Sequence, residues 1–292
     1  MTSLLARLFA GRLAFYNQGP RHRGIGCHPR LILGLLIVLG SVAYYFFGTT
    51  QYENEFTGRS QRLALPTAEE EVALGLQSAP AMIQQMGGPS RDAQARARVS
   101  QVGQRLVQGG LARQTPYRFE FHLLADQQTV NAFALPGGQI FITEALYRLL
   151  TTEDQLAGVL AHEIGHVVGR HSNEQMAKGR LLGGLAQGAG VVLSDGYNNA
   201  GMHVAQQVAQ IRLMKYGRDD ELESDALGVR FLAEAGYEPE AMIGVMEVLA
   251  SAARGRSPPE FLSTHPLPES RIQRLRELIA EYRSKKSGKG VP

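Results

Sequence analysis

Five consecutive residues, His162-Glu163-Ile164-Gly165-His166, carry the side chains in this sequence best suited to chemistry. In a helix, positions four apart lie one turn apart on one face, so His162 and His166 can aim their imidazoles at a single divalent ion. Glu163 stands beside them, where a carboxylate can take a proton from water activated by that ion. The pattern implies metal-assisted hydrolysis, most simply a zinc-dependent peptidase. A catalytic zinc takes three protein ligands and keeps a fourth position open, so the sequence must supply one more ligand.

His171 is one candidate, but a pattern that ends H-x-x-G-x-x-H needs its last histidine at position 172, which is Ser172. On a continuing helix His171 points away from the line through His162 and His166. The stretch Glu221-Leu222-Glu223-Ser224-Asp225 is the better source. Glu221 and Asp225 share a helical face, with Glu223 near the opposite side. Glu221 would complete a site of two histidines and one glutamate. Asp225 can hydrogen-bond the free ring nitrogen of a ligand histidine and fix its tautomer. Alone, this acidic run, preceded by Asp219 and Asp220, reads as the solvated start of a helix. Beside the histidine pair it reads as the ligand source, because the metal requires a third donor. His22, His28, His122 and His203 have no metal-ligand partners in view and read as ordinary.

The elements that must position these groups follow from periodicity. Thr152 caps the motif helix, with Gln155 three residues on, and Leu156, Leu160, Ile164 and Val167 form its apolar stripe. Tyr117 to Leu123 alternates apolar and polar residues, as a half-buried strand does. Asn131 to Leu135, a Pro136-Gly137-Gly138 turn and Gln139 to Thr143 predict a hairpin. Gln139 to Thr143 is the expected cleft edge, to which an extended substrate could add as a strand. Upstream, Thr67 caps a helix running past Leu74 to Ile83 with a break or kink at Pro80, and a second helix covers Arg91 to Val107. Downstream, helices are expected over Glu221–Ala235, Pro239–Ala253 and Glu269–Arg283, with Thr264-His265-Pro266 in a loop. Leu181 to Leu193 is apolar but interrupted by Gly183, Gly184, Gly188 and Gly190. It reads as too short and too broken to span a membrane, and as a mobile segment near the cleft.

Charge locates the chain. The net charge is +3, yet Arg7, Arg12, Arg21, Arg23 and Arg30 lie in the first thirty residues with no acid among them. Without those five the balance is −2, so no nucleic-acid footprint is present. Leu31 to Gly48 then runs eighteen residues without a charge, about the minimum for a membrane-spanning helix. The arginines before it predict a cytoplasmic N-terminus and an exported domain, hence a single-pass bacterial inner-membrane protein with its bulk in the periplasm. Cleavage as a signal peptide after Ser41-Val42-Ala43 is the rival. The one cysteine, Cys27, precedes the apolar stretch, which disfavours a lipoprotein and excludes an internal disulfide. The expected organisation is a basic tail over 1–30, an anchor over 31–48, a linker over 49–66, a metallopeptidase domain over 67–283 and a disordered tail over 284–292.

Four pieces in this order, Asn131-Ala132-Phe133-Ala134-Leu135-Pro136-Gly137-Gly138, the His162–His166 motif, Glu221–Asp225, and Thr264-His265-Pro266 with Arg271, resemble metallopeptidase family forty-eight over roughly Glu69 to Leu278. That family comprises HtpX-like, BepA-like and mitochondrial Oma-type peptidases and the CAAX prenyl proteases. The resemblance implies one zinc ion (Zn2+) per chain on His162, His166 and Glu221, Glu163 as catalytic base, and Asp225 behind a ligand. It also implies a role for His265 at the metal, either filling its open position at rest or donating to the oxyanion. The fold implied is α+β, predominantly helical and zincin-like, with a small β-sheet above the active-site helix. The function implied is a membrane-anchored zinc endopeptidase acting on unfolded, misfolded or unassembled envelope proteins. A non-catalytic chaperone or assembly factor with a structural zinc is the alternative from another class. A prenyl protease is disfavoured by the single expected span.

Overall fold

The structure, a computed structural model, describes residues 29–193, 215–254, 259–266 and 270–286. Arg7, Arg12, Arg21, Arg23, Cys27, His22, His28, His203, Ser257, Pro258, Glu269 and the tail beyond Lys286 lie outside the described residues. The chain is mostly helical. Helix α1 covers Pro29–Ala43 and continues into a wider turn over Tyr44–Gly48. Strands β1 (Thr50–Glu53) and β2 (Ser60–Leu63) precede helices α2 (Ala68–Gln85) and α3 (Ala93–Gly109). Strands β3 (Glu120–Leu124), β4 (Ala132–Leu135) and β5 (Gln139–Thr143) then lead through a short α4 (Glu144–Tyr147) to α5 (Glu153–Val168). Helices α6 (His171–Leu193), α7 (Arg218–Ala235), α8 (Ala241–Ala253), α9 (Phe261–Thr264) and α10 (Ser270–Lys286) follow.

Helix α5 is the axis of the domain. Thr152 caps it by accepting from the Gln155 N–H at 3.1 Å, and every residue from Leu156 to Val168 is buried. A helix apolar on nearly all sides needs cover on all of them. Val99, Val102 and Leu106 of α3, Ile140 and Ile142 of β5, Leu227 and Phe231 of α7 and Met242 and Leu249 of α8 share one core with it. The sheet's other face packs separately: Phe133, Leu135 and Phe141 meet Met82 and Met86 around α2. Isoleucines at 140 and 142 facing α5, with Phe141 facing α2, are the period-two alternation expected of a strand covered on both sides.

Five expectations need correction. Residues 49–66 are not an aperiodic linker: β1 and β2 pair antiparallel, and the hairpin is pinned to the end of α5. Asn54 Nδ2 donates to the Val168 carbonyl at 2.9 Å and Gln61 Nε2 to the Gly169 carbonyl at 2.8 Å. Strand β5 is no free edge. The order is β3-β5-β4, so β5 is paired on both sides and the outer strands are β3 and β4. Helix α2 runs through Pro80 unbroken, because Pro80 is exposed there and water can serve the carbonyl that loses its donor. The glycines after Leu181 do not break α6, and Ser284 to Lys286, placed in a disordered tail, complete α10.

One close approach sets the spacing of the two helices that bear the chemistry. A Cβ added at Gly165 would lie 2.6 Å from Ser224 Oγ and 2.8 Å from the Ser224 carbonyl oxygen, so α5 and α7 touch backbone to backbone there. Ser224 Oγ also donates to the His162 carbonyl. Gly165→Ala should therefore force the helices apart and cost about 1–3 kcal/mol. Denaturant unfolding of the purified protein would read this directly, and an unchanged midpoint would contradict the packing.

Candidate metal centre

The helix spacing brings α7 against α5 with Glu221 facing the histidine pair. His162 Nε2 and His166 Nε2 are 3.0 Å apart. Glu221 Oε1 lies 3.4 Å from His166 Nε2, and its Oε2 lies 3.6 Å from His162 Nε2. His265, at the end of α9, adds a fourth donor: its Nδ1 is 3.0 Å from Glu221 Oε1 and 3.3 Å from His162 Nε2. Donor atoms about 2 Å from a central zinc in a tetrahedron are about 3.3 Å from one another, so these separations fit one ion. All four residues are buried, and their donor atoms lie within 4.8 Å of one another. Among the described residues this is the group able to hold a metal. His171 is outside the quartet, as its helical position suggests.

His162 and His166 are each oriented from behind. His162 Nδ1 is 3.0 Å from Asp225 Oδ1, a charge contact that favours a proton on Nδ1 and turns Nε2 toward the quartet. His166 Nδ1 meets His171 Nδ1 at 2.8 Å, and His171 Nε2 meets Glu223 Oε2 at 3.0 Å. With Glu223 accepting from His171 Nε2–H, His171 Nδ1 can only accept, so His166 Nδ1 carries the proton and His166 Nε2 is free for a metal. Arg271 holds the other acids: it is bidentate on Asp225 at 2.9 and 2.8 Å and 2.6 Å from Glu221 Oε2. Phe261 stacks on His265 with ring centroids 4.3 Å apart, and Tyr216 stacks on His166 at 3.9 Å.

Charge follows from this packing. Burial opposes ionisation of Glu221, but His265, His162 and His166 outweigh it and hold the carboxyl well below its ordinary range. Burial also opposes charge on Asp225, where Arg271 and His162 prevail and lower it. Burial pushes His166 well below the usual imidazole value, toward the neutral form a metal needs. His162 is pushed up to about 9: burial opposes the proton, while Asp225 and Glu221 favour it more. A proton and a divalent ion thus compete for this pocket. Glu163 is different. Burial raises its carboxyl, and neither of its oxygens has a hydrogen-bond partner among the described residues. Its Oε1 faces His265 Nε2 at 3.7 Å. A fully buried carboxyl with both oxygens unengaged beside four donors is what a site built for a metal and a reacting water leaves over.

The four sequence pieces meet here. Asn131 Nδ2 donates to Glu260 Oε1 at 3.2 Å, and the Phe261 N–H donates to the Val130 carbonyl at 3.2 Å, which seats the His265 loop on the start of β4. Tyr216, Phe261 and Arg59 were not singled out by sequence, since an isolated aromatic or arginine carries no spacing signal. His171 enters the sequence reading only as a ligand candidate and Glu223 only as a residue on the far side of its helix; their place behind His166 comes from the contact between α6 and α7. His122 pairs with Gln139 at 2.9 Å in the sheet.

The model of peptidase family M48 matches residues 93–279. The beta-barrel assembly-enhancing protease of Yersinia pestis is 35% identical over 185 residues, which are 61% of this chain and 37% of that protein. The Escherichia coli K12 protein of the same name is 34% identical over 192 residues, 63% of this chain and 39% of its own. Mitochondrial metalloendopeptidase OMA1 of Schizosaccharomyces pombe is 31% identical over 195 residues, 64% of this chain and 54% of its own. The chain thus spans about two fifths of the length of the bacterial relatives.

Glu223 offers a test of the support behind His166. Burial alone would raise its carboxyl, but hydrogen bonds from His171 and Arg59 hold it at about 2, against an ordinary 4.5. A depressed folded value stabilises the protein above pH 4.5, and that stability is lost as pH falls toward 2. The melting temperature of the wild type should exceed that of Glu223→Gln near neutrality, with the gap narrowing through this window. A gap independent of pH would remove the ionic role.

Proposed function

Since the chain belongs to peptidase family M48, a family of metalloproteases, we propose that it hydrolyses peptide bonds with one zinc ion held by His162, His166 and Glu221. The observation that carries this is the convergence of those donors from two helices at separations that suit one tetrahedral ion, with the unengaged carboxyl of Glu163 beside them. Bound there, zinc supplies the Lewis acidity that polarises a scissile carbonyl and makes water nucleophilic near neutral pH. Glu163 takes the proton from the attacking water and returns it to the leaving amine. Asp225 and His171 keep the ligand imidazoles turned to the ion, and Arg271 offsets the charge of Glu221 and Asp225. His265 would be a fourth donor to the ion at rest, a role that its place among the converging donors supports over one at the oxyanion alone.

The substrate is an extended protein segment laid along the outer edge of β4, since β5 is paired on both sides. Backbone pairing there selects accessible, unfolded chain over a particular side chain. The bacterial relatives are named for enhancing beta-barrel assembly, which supports misfolded or unassembled envelope proteins as the substrate class. Helix α1 and its extension, Leu31–Gly48, are long and apolar enough to cross a membrane and are 6% buried in the protein. We take this segment as an anchor in the bacterial inner membrane, N-terminus cytoplasmic, with the peptidase domain in the periplasm. A structural zinc in a non-catalytic assembly factor would also use four protein donors, and His265 supplies the fourth.

Glu163→Gln separates these readings. It should keep one zinc per chain and lose about 10²–10⁴-fold of the cleavage of an unfolded substrate such as casein. Zinc retained with unchanged cleavage would exclude Glu163 as base. Removal of zinc by a chelator should abolish cleavage, and added zinc should restore it. His265→Ala should retain zinc and raise the cleavage rate, whereas a fall would place His265 at the oxyanion.

A further inference from the structure

Helix α6 changes character along its length. Its first turns are polar and buried against the β1–β2 hairpin: Asn173 exchanges hydrogen bonds with the Leu65 backbone at 2.8 Å, and Glu174 pairs with Arg59 at 2.7 Å. From Leu181 to Leu193 no charged residue occurs, and four glycines stand in the run. Those glycines weaken a helix in water, yet the helix continues. Two of them, one turn apart, lie on α1. A Cβ at Gly184 would be 1.8 Å from Ser41 Oγ, and one at Gly188 would be 2.7 Å from the Gly34 carbonyl oxygen and 2.6 Å from a Val38 methyl. As α6 advances from Gly184 to Gly188, its contacts on α1 step back from Ser41 to Gly34, so the helices are antiparallel and touch backbone to backbone.

Among the described residues, the remaining faces of the pair are exposed. Leu182 is 63% exposed, and Ala186 and Ala189 are exposed on the same side of α6. On α1, Leu35, Leu36 and Leu39 are exposed. The charge-free parts of both helices start at one level. There the Arg180 guanidinium donates to the Tyr44 hydroxyl and stands 5.8 Å from its ring. At the same end Arg62 donates to the Tyr45 and Phe46 carbonyls at 3.4 and 3.1 Å. Tyrosine and arginine at the end of an apolar stretch are the side chains that sit at a membrane surface. Small residues that let helices approach, and a helix held despite its glycines, are likewise features of a lipid surrounding.

We propose that Leu181–Leu193 enters the same bilayer as α1 and lies there as its antiparallel partner, with acyl chains covering Leu182, Ala186 and Ala189. This rests on the reading of α1 as a membrane anchor. At 1.5 Å per residue these residues reach about 20 Å into a hydrocarbon layer of about 30 Å, so they enter it without crossing it. The same arithmetic puts Arg180 about 14 Å along α6 from His171, which touches the ligand His166. The metal centre is thereby held close to the membrane surface, where it meets protein segments emerging from or lying on the bilayer.

The test uses the full chain with Cys27→Ser, reconstituted into phosphatidylethanolamine–phosphatidylglycerol vesicles. Single cysteines are introduced by Leu36→Cys, Leu182→Cys, Ala189→Cys or Gln101→Cys and labelled with a small environment-sensitive fluorophore. Lipids with a nitroxide on the acyl chain report contact by quenching. The expected result is quenching at positions 36, 182 and 189 and none at Gln101→Cys, which lies on the exposed side of α3. Quenching at position 36 but not at 182 or 189 would overturn the insertion of α6 and leave the anchor standing. No quenching at position 36 would remove the anchor reading and this pairing with it. The probed side chains are exposed in the protein, so the fold does not depend on them.

Discussion

Three carboxyl groups and one guanidinium share the dry interior of this domain. Glu163, Glu221, Asp225 and Arg271 are each at most 1% exposed. Unpaired ions at such depth are not tolerated, because the effective desolvation penalty is several kcal/mol per ion even after relaxation. Arg271 answers Asp225 with two hydrogen bonds and Glu221 with a third contact. What is left is a cluster of acids beside imidazoles whose ring nitrogens converge, a setting in which a proton on His162 and a divalent cation compete. The other elements can be understood as what keeps these charges together. Helix α10 delivers Arg271, α7 delivers two acids from one face, and α5 supplies a helix apolar enough to stay buried while carrying two histidines and a glutamate.

That arrangement explains why family membership is written in four short, distant pieces. None of them makes the site alone. Asn131 holds the loop that carries His265, and Arg271 ties α10 to the acids of α7. Ser224, between Glu223 and Asp225, bonds the His162 carbonyl and occupies the space that Gly165 leaves. The run from Glu221 to Asp225 thus presents a carboxylate toward the histidine pair, a brace behind each histidine and the contact that fixes helix spacing.

Much of this was legible before any coordinates. Helix α5 announced itself by its cap, its stripe and its histidines, all within sixteen residues, because helical periodicity is local. The hairpin of β4 and β5 was legible for the same reason. The parallel pairing of β3 with β5 was not: it joins segments far apart in sequence, and no local pattern sets which strand becomes central. Residues 49–66 looked like a linker because their partners, Val168, Gly169 and Glu174, lie more than a hundred positions away. Pro80 and the α6 glycines misled in the same manner. Each is a poor helix former by intrinsic propensity; Pro80 is exposed to solvent, and Gly184 and Gly188 are pressed against α1.

Arg59, at the tip of the hairpin, reaches Glu174, Asp220 and Glu223 within 2.7 to 2.8 Å. One guanidinium therefore bridges three acids drawn from two helices, and the last of them lies 3.0 Å from the histidine behind His166. A shortened form of the protein that begins at α2 would lose this shared counter-ion. Its three acids would repel one another at the foot of the candidate metal pocket, and the α6–α7 contact behind His166 would lose its brace although His162, His166, Glu221 and His265 were all still in the chain. Any soluble version intended for purification must keep the hairpin from Thr50 onward.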